Sequence, residues 1–191
     1  MPMFKDRYVI DTNVLIAASA VHAAAHGNRP APQREVTPCD PALQRKVCRW
    51  LAGFENSASR LVLDIAGGIN AEYHNKLEFN DYGIQVVMNK INRGQVDLVT
   101  VEYDENGDGI VPQPLDDVVK DLADRKMLAA ALEALNLPGS SAIAYAGDTD
   151  WLDWELELIK TGLVLEPIIE SWARAKHEAK QHRRHLGKRH D

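Results

Sequence analysis

Short apolar runs that stop at polar or glycine residues, each followed by a stretch of good helix formers, constrain this chain more than any other feature. Tyr8-Val9-Ile10 ends at Asp11 and leads into an apolar stretch at 14–18, with Thr12 placed to cap a helix. Leu61-Val62-Leu63 is followed by Gly67-Gly68, after which Ile69, Tyr73 and Leu77 recur at fourfold spacing. Residues 96–101 alternate as a strand does. Residues 124–135 are rich in Ala, Leu, Met and Glu and end at Pro138-Gly139. Residues 142–146 read as the next strand, 151–159 as a helix and 163–165 as a last strand. Strands that alternate with helices predict an α/β fold with a mostly parallel sheet.

The rest of the chain is less regular. Residues 22–41 carry Pro30, Pro32, Pro38 and Pro41 and read as a loop, part of an insertion around 22–60 in which 47–51 look helical. Asn106-Gly107-Asp108-Gly109 is a turn signal before Ile110-Val111, which predicts a hairpin around 96–112. The expected organisation is one domain over 1–173 and a basic tail over 174–191. The net charge of −6 conceals that split: the tail carries +5 and the body −11. An acidic body argues against broad electrostatic binding of nucleic acid, whereas the tail suits phosphates or an acidic partner. No apolar run has the ~18 residues of a membrane span, and the N-terminus lacks the apolar segment of a signal peptide. Cys39 and Cys48 form neither a disulfide framework nor a metal knuckle, so a cytoplasmic location is expected.

In parallel α/β sheets ligands bind beyond the carboxyl ends of the strands, so acids placed just after strands are the first candidates. Asp11 ends the first run, and Asp148 follows 142–146 after Gly147, with Asp150 and Asp153 close behind. Glu72 lies in the helix after 61–63, and Asp121 and Asp124 share one face near the start of the helix before Asp148. Singly, each has an ordinary reading as a helix cap, a first-turn acid or a solvated residue. Together they predict something else. Carboxylates ~5 Å apart repel by roughly 3 kcal/mol per pair at an effective dielectric of 20, so convergence of four of them requires a cation. An oxygen-only donor set without His or Cys selects Mg²⁺ or Mn²⁺.

Four segments, in this order, resemble the PIN domain metal-dependent ribonucleases, which include VapC-like toxins. They are Tyr8-Val9-Ile10-Asp11-Thr12-Asn13-Val14-Leu15-Ile16, Ile69-Asn70-Ala71-Glu72-Tyr73, the stretch 121–131 and Gly147-Asp148-Thr149-Asp150-Trp151-Leu152. The resemblance covers about half of the chain, chiefly 8–16, 61–77 and 121–170. It implies a three-layer α/β/α sandwich and an acidic catalytic site of Asp11, Glu72, Asp124 and Asp148. These four would also be metal ligands, with Asp150 as a further one. Asn13 would be an auxiliary that orients Asp11 or a metal-bound water, and Asp121 competes with Asp124 for the third position. The implied chemistry is Mg²⁺- or Mn²⁺-dependent hydrolysis of RNA phosphodiesters to 5′-phosphate and 3′-hydroxyl ends. Implied partners are an RNA substrate, an antitoxin protein and a second copy of the chain. The competing expectations are a catalytically weak PIN-like module that binds RNA or protein, and a magnesium-dependent phosphatase of small substrates.

Other signals carry less. Asp104-Glu105-Asn106-Gly107-Asp108-Gly109 imitates the start of a calcium loop, but its twelfth position is Leu115 rather than Glu, so a hairpin turn is expected. Asp11-Thr12-Asn13 lacks the second acid of a phosphatase Asp-x-Asp motif, and Gly67-Gly68 lacks the spacing of a nucleotide loop. His74 faces away from Glu72. Arg125 and Lys126 read as helix-surface charges, Trp151, Trp154 and Trp172 as packing residues, and the tail, with its histidines, as a solvated basic helix.

Overall fold

The computed structural model describes residues 4–25 and 36–187. Among the described residues, five parallel strands form one sheet: β1 (Arg7–Ile10), β2 (Arg60–Asp64), β3 (Val96–Val99), β4 (Ser141–Tyr145) and β5 (Leu165–Pro167). Their order in space is β3-β2-β1-β4-β5. The fold is therefore α/β, and the sheet is parallel throughout. β1, β2 and β4 are buried almost along their whole length, as strands covered on both faces must be, and this is why their sequences read as continuous apolar runs. β1 runs in register with β4 from Arg7 opposite Ser141 to Ile10 opposite Ala144.

The connections are helical. Between β1 and β2 lie α1 (Thr12–Ala25) and α2 (Pro41–Asn56), and between β2 and β3 lie α3 (Gly68–Lys76) and α4 (Tyr82–Asn92). α5 (Leu115–Val118) and α6 (Leu122–Ala134) precede β4, α7 (Asp150–Lys160) joins β4 to β5, and α8 (Glu170–Gly187) follows. The chain thus runs outward from β1 through β2 to β3, then returns through α6 to β4 on the other side of β1. That reversal leaves a crevice at the carboxyl ends of β1 and β4, the place where open α/β sheets bind ligands.

Several boundaries differ from the sequence reading. α1 continues through His22 to Ala25, because the alanines of this stretch favour helix; residues 26–35 of the expected loop lie outside the described residues. α2 begins at Pro41, with Asp40 as its cap accepting from the Ala42 N–H (2.7 Å), and buries Val47, Leu51 and Phe54. The 22–60 stretch therefore supplies core. α4 was not anticipated, although Ile84, Val87 and Ile91 have helical spacing; Gly83 lets it approach α1 so closely that a Cβ there would lie 2.7 Å from the Leu15 Cβ. The last strand falls two residues later than expected, with Val164 only accepting from the Ile143 N–H (2.9 Å). Between 96 and 112, β3 stops at Val99, and the turn at 104–108 closes through a single antiparallel bridge between Tyr103 and Gly109.

α8 is not a freely solvated helix. Arg174 pairs with Glu155 (3.1 Å), His177 with Asp153 (2.7 Å), Lys180 with Asp150, and Arg184 with Asp153 (3.1 Å), which binds one face of α8 to α7.

Candidate metal centre

Asp11 follows β1 and begins α1. Its main-chain carbonyl accepts from Val14 N–H (2.9 Å) and its Oδ1 from Asn13 N–H (2.7 Å), so Asp11, rather than Thr12, caps the helix. The second oxygen, Oδ2, accepts from the indole Nε1–H of Trp151 (2.7 Å). Trp151 is fully buried and Asp11 only 2% exposed. Both carboxylate oxygens are thereby fixed in direction by groups that cannot move without disturbing the core.

Asp148 lies beyond β4, across the crevice. Its Oδ1 accepts from Asp150 N–H (2.7 Å) at the start of α7. Asp124 projects from the first turn of α6, which is capped by Asp121 through the Ala123 N–H (3.0 Å). Asp121 is exposed, whereas Asp124 is partly buried and its Oδ2 is sealed from solvent with no hydrogen-bond partner. One carboxylate oxygen from each of Asp11, Asp124 and Asp148 lies within 4.8 Å of the others. The cap reading and the cluster reading hold together for Asp11 and Asp148, since one oxygen serves the helix while the residue still faces the crevice.

Electrostatics follow from this convergence. Burial, then the Asp148 charge, pushes the Asp11 carboxyl up to about 7, against the opposing hydrogen bonds from Trp151 and Asn13. Burial and the charges of Asp11 and Asp148 push Asp124 up to about 9, and burial also raises Asp148. The three form no salt bridge among the described residues. Such a site binds either protons or a cation. The donor set of carboxylate oxygens, with one buried oxygen lacking a partner, fits a hard divalent ion such as Mg²⁺ or Mn²⁺.

The other two acids read as ligands are placed differently. Glu72, on α3, accepts through Oε1 from the Thr12 hydroxyl, and its Oε2 lies 2.8 Å from Lys126 Nζ. α3 itself is tied to β1 by Tyr73, whose hydroxyl donates to the Ile10 carbonyl (2.5 Å). Asp150 is paired with Lys180 of α8. Asn13 acts on Asp11 through its main chain. Neither Lys126 nor Arg125 is a plain surface charge: their side chains are 16% and 15% exposed, and Arg125 pairs with Asp116 (2.5 Å).

Trp151, Thr12, Lys126 and Lys180 were not picked out as site residues by the sequence. A buried indole needs an acceptor, and Lys180 belongs to a stripe of polar and basic residues at 174, 177, 181 and 184; those were the available signals. Comparison with protein-family models, curated proteins and solved structures finds no match.

Proposed function

We propose that this chain is a Mg²⁺- or Mn²⁺-dependent endoribonuclease with a three-layer, PIN-like architecture. The observation that carries this reading is the meeting of Asp11, Asp124 and Asp148 at the reversal point of a parallel sheet, with the Asp124 Oδ2 buried and unpartnered. Three of the four ordered sequence segments that resemble PIN ribonucleases contain these same residues.

In this mechanism the protein chiefly holds and orients. Asp11, Asp124 and Asp148 would hold the cation. Asn13 N–H and Trp151 Nε1–H keep Asp11 from rotating, and the Asp150 N–H does the same for Asp148. When bound, Mg²⁺ or Mn²⁺ supplies an acidified water and offsets negative charge on the phosphate. Asp11 is buried whereas Asp124 and Asp148 are partly exposed, so on this reading the substrate would approach from their side. RNA is the substrate on this reading, in the cytoplasm, with an antitoxin and a second copy of the chain as partners. No helix among the described residues is long and apolar enough to cross a membrane.

The test is cleavage of RNA with Mn²⁺, with and without EDTA, by the wild type, Asp11→Ala and Asp148→Asn. Cleavage abolished by EDTA and by both substitutions is the expected result. Cleavage indifferent to all three overturns the reading, whereas Mn²⁺ binding without cleavage leaves a binding module. Turnover of a phosphomonoester without RNA cleavage identifies a phosphatase.

A further inference from the structure

Five acids surround the crevice, yet their oxygens are not equivalent. Three converge without an ion pair, while Glu72 Oε1 accepts from the Thr12 hydroxyl and Oε2, buried and without a hydrogen bond, is ion-paired to the Lys126 ammonium at 2.8 Å. The ammonium is held from a second side by the Ala123 carbonyl (3.0 Å), one residue before Asp124. Glu72 and Lys126 are 17% and 16% exposed, so water weakens this pair less than it would at the surface. The backbone beneath the lysine is also pinned. Gly109 packs against α6 so tightly that a Cβ there would lie 2.6 Å from the Lys126 Cα and N. Glu72 is still close enough for its charge to raise the carboxyls of Asp11 and Asp124.

We propose that Lys126 is a built-in cation that takes the place of a second divalent ion, so that the site holds one metal at Asp11, Asp124 and Asp148 and Glu72 serves as the lysine's counter-ion. This rests on the metal reading above and adds its stoichiometry. A dication seated between Glu72 and Asp124 would have to displace the ammonium from Oε2 and then stand beside it, and like charges at that separation oppose each other strongly. With the lysine in place, a metal could reach Glu72 only by taking Oε1 from the Thr12 hydroxyl or by displacing the ammonium charge that faces Oε2. Lys126 is a positioning residue on this view: it sets how many metal ions enter and holds Glu72 away from them.

The experiment is Mn²⁺ binding to the full chain, followed by calorimetry and by the paramagnetic resonance signal, which distinguishes isolated from spin-coupled ions. Wild type is expected to bind one ion with an isolated-ion spectrum. Lys126→Met frees Glu72 and is expected to bind two ions with a coupled spectrum, and Lys126→Met with Glu72→Gln returns the count to one. Glu72→Gln alone should shift the affinity for the first ion by less than about threefold, whereas loss of a true ligand or its supporting contact costs about tenfold or more. Two ions in the wild type, one ion in Lys126→Met, or a tenfold loss in Glu72→Gln overturns the assignment of Lys126. No Mn²⁺ binding by folded wild type overturns the metal reading itself, and circular dichroism checks that each variant is folded.

Discussion

Replacing Asp124 with Asn should make the metal-free protein more stable while removing its response to metal. At pH 8 the native Asp124 carboxyl, pushed up to about 9, retains a proton that the unfolded chain, with the ordinary value of 3.8, has lost. A raised carboxyl contributes its stability below the unfolded value and loses it as pH rises towards the folded one. The full linkage from 3.8 to pH 8 has an upper bound of about 6 kcal/mol at 1.36 kcal/mol per unit. Ionising Asp124 instead would set it against a charged neighbour, and one such pair at the 4.8 Å limit of the cluster repels by about 3.5 kcal/mol at an effective dielectric of 20. Relaxation and water entry reduce both, so a gain of about 2–4 kcal/mol is expected, or roughly 5–15 °C in Tm for a chain of this size. Asn keeps the shape, and its amide can donate to the neighbouring carboxylates. Thermal unfolding in EDTA from pH 4 to 9 provides the measurement: the gain should be near zero at pH 4 and grow with pH. Mn²⁺ should then raise the Tm of wild type but not of Asp124→Asn. Lower stability than wild type in EDTA at pH 8, a gain independent of pH, or an undiminished Mn²⁺ shift would refute the reasoning.

Trp151→Phe keeps the packing but removes the donor to Asp11 Oδ2; Mn²⁺ affinity by calorimetry should fall about tenfold, and unchanged affinity would mean that the indole does not orient the acid. Gly83→Ala forces α4 from α1, where a Cβ would also lie 2.9 Å from the Leu15 carbonyl oxygen, and should cost about 1–3 kcal/mol in denaturant unfolding. Lys90 is fully buried, held by the carbonyls of Ser57 and Ser59, and burial pushes its ammonium down to about 8. Its native form therefore loses its proton before the unfolded chain does, so stability from this group rises with pH between about 8 and 10.5, and Lys90→Met should flatten that rise.

The acids at strand ends were legible because a parallel strand buried on both faces has to be a short apolar run, and its end is visible where the run meets Asp11 or the Gly147-Asp148 step. The α/β class followed from the same runs. The sheet order was not legible, since which strands pair depends on contacts between distant segments, such as Arg7 opposite Ser141. Side-chain commitments were hidden for the same reason. Nothing local tells that Lys126 reaches Glu72 or that the Trp151 indole donates to Asp11; both depend on α6 and α7 being brought against other elements. α4 is a different case, because the spacing of Ile84, Val87 and Ile91 is local and present in the sequence.

β1 is the first strand in the chain but the middle one in the sheet, and its partner β4 comes more than a hundred residues later. While the chain is being synthesised, Asp11 therefore waits, already made, for Asp124 and Asp148. A partly made chain carries only a fraction of the acidic cluster and has no site to load. On the ribonuclease reading, the capacity to cut RNA arrives only with the closing of the sheet, after β4 and Asp148 have been made.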